Sequence, residues 1–127
     1  MLGVTTHRTT PEAAQSIREE GFRVERAEPD ARFGRGFYSS TRPQPEFGTA
    51  SVSVAVRLVN PLGPLPLLDI EDAILALQME FGTVDIREVL LEAGYDGVIV
   101  RWGPGDDEVV ACHDEQVKVV RDGRPRR

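Results

Sequence analysis

The chain of 127 residues carries 21 acidic and 15 basic side chains, for a net charge of −6 and a pI near 4.9. That acidity argues against a general nucleic-acid binder, which neutralises phosphates with a basic surface, and the lone cysteine, Cys112, excludes an intrachain disulfide framework. A hydrophobic content of 40% suffices for one globular domain, expected over residues 1–120, with the basic tail 121–127 left in solvent.

Residues 3–9 (GVTTHRT) are rich in β-branched types and predict a first strand. Thr10 before Pro11 is a capping residue followed by proline at the first helical position. With Ala13, Ala14 and Ile17 at helical spacing and Gly21 as a stop, it predicts a helix over 11–20. Phe22–Ala27 alternates apolar and charged residues, the pattern of a half-buried edge strand, and 28–35 reads as a polar loop. Gly36–Ser40 predicts a short strand and 41–50 an irregular segment. Val52–Val59 predicts a strand ended by Asn60-Pro61, followed by a proline-rich connector over 61–66. A helix is expected over Ile70–Phe81, capped by Asp69, and another from a cap at Asp85 to a stop at Gly94. Two apolar runs, Gly97–Trp102 and Val109–Cys112, then flank a Gly-Pro-Gly-Asp-Asp turn, and Gln116–Val120 gives a last strand. Strands do not alternate strictly with helices, which disfavours a doubly wound parallel sheet. The expectation is a mixed α+β domain with two small β-sheets and short flanking helices.

Glu108 heads the second apolar run, and alternation along a strand sets Glu108, Val110 and Cys112 on one face. A carboxylate leading an apolar face is costly unless it is paired or used. Its alternative reading is a solvated turn residue like its neighbours Asp106 and Asp107. His7, mid-strand among threonines, is either a hydrogen-bonded structural histidine or a group that holds a ligand. In Phe33–Tyr38 (FGRGFY) the glycines at 34 and 36 permit a sharp turn and close approach of a ligand, and a hairpin turn explains the same pattern. Cys112 reads as a small buried hydrophobe. The two histidines and the cysteine stand at no metal-ligand spacing, so no metal is expected. There is no charged-then-apolar leader pattern and no apolar run near ~18 residues. A cytoplasmic protein without membrane association is therefore expected, with secretion as an effector left open.

The order of the pieces carries more than each alone. His7-Arg8-Thr9 comes first, then Gly34-Arg35-Gly36-Phe37-Tyr38-Ser39-Ser40, then Glu108-Val109-Val110-Ala111 running to Asp114-Glu115-Gln116-Val117. This resembles the ADP-ribosyltransferase fold of the His-Tyr-Glu class, the branch of diphtheria-toxin-like and poly(ADP-ribose) polymerase-like catalytic domains. The resemblance implies an NAD-binding cleft split between two sheets, with NAD as co-substrate and no metal. It implies an ADP-ribosyltransferase that releases nicotinamide and passes ADP-ribose to an acceptor of unknown class (protein, nucleic acid or small molecule), and the small size of the chain points to mono- rather than polymer-forming transfer. A bacterial or phage toxin or modifier is one form such a transferase takes, which leaves an antitoxin or immunity partner open. Glu108 is then the catalytic carboxylate that accepts a hydrogen bond from a ribose hydroxyl and stabilises a cation-like transition state. His7 holds another ribose hydroxyl, and Tyr38 stacks on the nicotinamide ring. The backbone of Arg8 and the hydroxyl of Thr9 grip its amide. Gly36 and Ser40 complete the cofactor-binding set, with Phe47 as the candidate second aromatic. The chain departs from the family pattern at Arg8, where glycine is usual, and at Val109, where an aromatic is common. Other readings on the same fold are a non-catalytic nucleotide- or partner-binding module, an NAD glycohydrolase and an RNA 2′-phosphotransferase.

Overall fold

The computed structural model describes residues 1–42 and 50–120, and the strands among them form one seven-stranded sheet. In chain order the elements are β1 (Leu2–Thr9), α1 (Pro11–Glu20), β2 (Phe37–Ser40), β3 (Ala50–Arg57), β4 (Pro61–Pro66), α2 (Leu67–Phe81), α3 (Ile86–Glu92), β5 (Gly97–Gly103), β6 (Asp106–Ala111) and β7 (Val117–Val119). Short 3-10 turns occupy Val24–Arg26 and Asp114–Gln116. The sheet runs β4-β5-β6-β2-β1-β3-β7, and among its pairs only β4 and β5 are parallel. The α+β class is therefore as expected, but the two separate sheets are not: the halves are joined.

The join is slender. β1 pairs with β3 along its whole length, from Leu2 opposite Arg57 to Thr9 opposite Ala50. On its other side β1 meets β2 at one residue pair, Thr6 opposite Ser40. Below that pair, the Tyr38 carbonyl is bonded by the His7 ring rather than by a strand neighbour.

Helices cover opposite faces at opposite ends. α1 packs on β1 and β3, where Ala14 and the inward valines of β3 (Val52, Val54 and Val56) are buried together with Phe37. α2 and α3 pack on β4 and β5, where Ile70, Ile74 and Leu90 meet Val98, Val100 and Val110. The caps that start these helices are local chemistry. The Thr10 hydroxyl accepts from the Ala13 N–H at 3.2 Å and the Asp85 carboxylate from the Glu88 N–H at 3.0 Å. α1 ends at Gly21, whose φ of 79° suits glycine.

Four segments depart from expectation. Phe22–Ala27 is not an edge strand, because its alternation finds no strand partner. Phe22 instead packs edge-on against Phe37 with ring centroids 4.7 Å apart, and the Val24 N–H goes to the Asp114 carboxylate at 2.6 Å. The 61–66 connector is the edge strand β4. Three prolines are tolerated there because an edge strand can leave positions without a ladder donor, and the register shifts between Leu62 and Leu65. α2 begins at Leu67 after Pro66, so Asp69 is not its cap but an acidic residue of the first turn, favourable at the positive end of the helix dipole. At the chain's end, Gln116 lies in the 3-10 turn and the last strand starts at Val117.

Candidate functional site

The hairpin β5–β6 turns at Pro104-Gly105, and β6 begins at Asp106, two residues before Glu108. Glu108 is therefore a mid-strand residue rather than the mouth of one. It lies opposite Val100 on β5 and Ser40 on β2, and Ser40 lies opposite Thr6 on β1. Opposed residues share a face. A polar row of Glu108, Ser40 and Thr6 thus crosses from β6 through β2 to β1, and Ser53 extends it onto β3. Val110 and Tyr38 form the next row on that face.

The carboxylate of Glu108 is held in place but not neutralised. The indole N–H of Trp102 donates to its Oε1 at 3.1 Å, and the Arg32 guanidinium stands 5.8 Å from the centre of the Trp102 ring. Burial raises the Glu108 pKa above its ordinary value. The Trp102 hydrogen bond and the Arg32 charge pull it back, while Asp106 pushes it up. Nearby Asp107 is different: it forms a two-pronged ion pair with Arg101 at 2.9 and 3.0 Å, across the hairpin on the opposite face. Of the three consecutive acids in β6, Glu108 is thus the one set beside Ser40 and Trp102.

His7 stands on the other face, because it is opposite Val52 and next to Phe37, whose ring lies 4.5 Å away. Its Nδ1 is 2.5 Å from the Tyr38 carbonyl. A carbonyl only accepts, so Nδ1 carries the hydrogen and Nε2 of the neutral ring is left as an acceptor. Burial lowers the His7 pKa and so favours the neutral ring, against an opposing contribution from that hydrogen bond. His7, Thr9, Phe22, Gly36 and Phe37 line a cavity of about 370 Å³ beneath α1, a size suited to a small ligand group. Gly36 serves this place by close packing: a Cβ there would come within 2.7 Å of the Ala111 carbonyl.

Tyr38 sits between the two faces' chemistry. Its hydroxyl donates to the Gly34 carbonyl at 2.7 Å and accepts from the Phe33 N–H at 2.8 Å, and its ring stacks on Phe33 at 6.2 Å. It locks the Gly34-Arg35-Gly36 turn to β2, and burial raises its pKa well above the usual phenol value. Arg8 lies on the Glu108 face by alternation, opposite Ser51. Phe47 lies outside the described residues. Cys112 is buried, its thiol pushed up to about 11 by burial.

The structure thus brings Glu108, Ser40 and the Tyr38 side chain onto one face and His7, Thr9 and Gly36 around a cavity on the other, with Tyr38 also contributing to the cavity's lining. The β1–β2 seam lies between the two groups. Sequence reasoning missed Trp102 and Arg32. Folding the chain about the Pro104-Gly105 turn, which sets Arg101 opposite Asp107 and Val100 opposite Glu108, would have brought Trp102 to the carboxylate. Arg32 had no such signal, since it comes from an irregular loop.

Among the described residues, no group of three or more His, Cys, Asp and Glu could hold a metal ion, and no helix is long and apolar enough to cross a membrane. No family model matches the chain, and no curated protein matches its sequence.

Proposed function

We propose that the chain is an NAD-dependent mono-ADP-ribosyltransferase in which Glu108 is the catalytic carboxylate. One observation carries this reading: a half-buried carboxylate, oriented by an indole N–H and in no ion pair among the described residues, beside the seam that divides the sheet. Such a group is suited to stabilise positive charge as it develops on a sugar carbon, because its direction is fixed before the reaction starts. In the reaction the bond between nicotinamide and the ribose carbon breaks, and its electron pair neutralises the departing ring. A nucleophile of the acceptor then bonds to that carbon and loses its proton. Glu108 accepts a hydrogen bond from the neighbouring ribose hydroxyl and offsets the charge between these events. His7, neutral and with Nε2 free to accept, binds a hydroxyl of the dinucleotide from the cavity side. On this reading the dinucleotide has to reach both His7 and Glu108, which stand on opposite faces to either side of the seam.

The test is nicotinamide release from NAD by the purified chain, with Glu108→Gln and His7→Ala beside it. Release by the wild type and its loss in Glu108→Gln support the reading. Equal release by Glu108→Gln sinks it.

The placement of His7 and Glu108 on opposite faces favours a second reading, a nucleotide-binding module without turnover. A thermal shift with NAD or ADP-ribose that is lost in His7→Ala, with no nicotinamide released by the wild type, would select it.

A further inference from the structure

We propose that the outer face of α2 is a docking surface for a basic amphipathic helix of a partner protein. The inner face of α2 is spent on the core, with Ile70 and Ile74 buried against β4 and β5. Yet the outer face is apolar too: Leu68, Leu75 and Met79 are 71%, 55% and 76% exposed. Their spacing, with Asp72 between, is four, three and four residues, the seam of a two-helix coiled coil. At the helix's C-terminal end the Gln78 side chain donates to the Val84 carbonyl at 2.9 Å, which ties down the loop that carries the exposed Val84. A run of large exposed apolar side chains on one helix face marks an interaction surface more often than scattered ones do.

Charge decides the occupant. Residues 67–96 hold eight acidic side chains and one basic one, Arg87, for a net −7 against −6 for the whole chain. The rest of the molecule is thus close to neutral, and its negative charge is concentrated on the two helices that present this face. Anionic lipid and nucleic acid are repelled by such a field. A second copy fares badly in either direction. In parallel it would set Asp72 against Asp72, with Asp69 and Glu71 flanking their own like. In antiparallel it would bury Asp72 against Leu75 without a partner. A helix with leucine-type residues along its own seam, a lysine or arginine opposite Asp72 and further cations opposite Asp69 and Glu71 satisfies every position. Flanking charges of opposite sign are what select partner and orientation in such pairs.

The surface lies on the helices, away from the seam and from Glu108, so its test is separable from that of the catalytic reading. The probe is a fluorescent synthetic helix with leucine seam positions, one seam lysine, and lysine or arginine at its flanks. A second peptide differs only in carrying glutamate at those flanks and at the seam lysine. Anisotropy with the full chain is expected to show saturable binding of the basic peptide, weakened by salt, and none of the acidic one. Leu75→Glu with Met79→Glu should weaken the basic peptide on the order of tenfold or more, as truncating central anchors does. Asp72→Lys should reverse the preference towards the acidic peptide, and because Asp72 is exposed that variant folds. Equal binding of both peptides, no binding of either, or a chain that sediments as a dimer and becomes a monomer in Met79→Glu would each overturn the proposal.

Discussion

The two halves of the sheet, divided at the β1–β2 seam, are built by different rules. On one side β3 alternates, with Val52, Val54 and Val56 inward and Ser51, Ser53 and Arg57 exposed, because α1 covers a single face. On the other, Gly97–Val100 in β5 and Val109–Ala111 in β6 are buried without alternation, because core lies on both faces. A strand with core on both sides has no spare position for a polar group, and a strand with one free face has many. Glu108 stands where the two regimes meet. It is one residue ahead of the doubly buried run, and on its face only polar neighbours, Ser40 and Thr6, lead towards the one-sided half.

The most severe way to break this contrast is to place a charge on each face in turn. Val98→Asp and Ile99→Asp, adjacent in β5 and pointing to opposite faces, should each cost about 4 kcal/mol or more and leave the protein unfolded at room temperature. In β3 the same experiment should split: Val54→Asp unfolds the protein, whereas Ser53→Asp stays within about 0.5 kcal/mol of wild type. Urea unfolding followed by circular dichroism reads all four. If Ile99→Asp folds normally, β5 is not doubly buried and the contrast is wrong.

The next effect concerns chemistry at the border. On the proposed transferase reading, Glu108→Gln should lower nicotinamide release by about 10² to 10³, the scale on which a single preorganised group acts in a transition state. Trp102→Phe should lower it by about tenfold. It should also move the acid limb of the pH–rate profile upward, because the indole hydrogen bond is what lowers the Glu108 pKa against burial. A Trp102→Phe variant with slower release but an unmoved acid limb would make Trp102 a packing residue.

How much of this was readable in the chain follows the same division. The one-sided half was legible: β3 shows its alternation, and α1 shows its cap, its proline and its glycine stop. The doubly buried runs were legible as strands but not as to which sheet they join, since a continuous apolar run carries no facing information. β4 was hidden by its prolines, which an edge position excuses. The Phe22–Ala27 alternation misled because periodicity records which residues are apolar, not whether a neighbouring strand exists. Within the site, Glu108, His7 and Tyr38 were readable as residues, but their faces depend on the β1–β2 register, which no local pattern fixes. Arg32 acts through an irregular loop, where position is set only by tertiary contacts.

A smaller effect probes the seam itself. The Thr5 hydroxyl donates to the Ser39 hydroxyl at 2.6 Å, a buried bond that bridges β1 and β2 where backbone pairing is sparse. Thr5→Val leaves Ser39 buried without this partner and should cost about 1–2 kcal/mol. Thr5→Val with Ser39→Ala removes both polar groups and should recover part of the loss, since what is expensive is the orphan rather than the missing bond. A double variant no better than the single would show that the seam is held by packing, with Phe37 and His7 as the material.

The smallest predicted effect is also the one that ties stability to the site. The Glu108 pKa is raised in the folded chain above its ordinary value of 4.5. The native state therefore binds the proton more tightly than the unfolded one. Below 4.5 both states are protonated at this position and the group makes no difference. As pH rises from 4.5 through the folded pKa, stability falls, because ionising Glu108 is harder in the half-buried site than in the open chain. Above that window the penalty is constant. Glu108→Gln removes the charge and keeps an oxygen that can accept from Trp102. At neutral pH the variant should therefore be more stable than wild type by on the order of 0.5 kcal/mol, the value kept small by solvent reaching a half-exposed group, and its Tm should rise by about 2 °C. The advantage should vanish below pH 4.5. His7 acts in the opposite direction: its pKa is lowered, so its contribution is lost as pH falls through the range below 6.5. That slope is common to both proteins and cancels in their difference. Thermal melts of the pair from pH 4 to pH 8 thus isolate Glu108. A variant that is less stable than wild type at neutral pH would mean that the carboxylate is held by attraction, and it would then belong to the architecture of the hairpin rather than to a site that uses its charge.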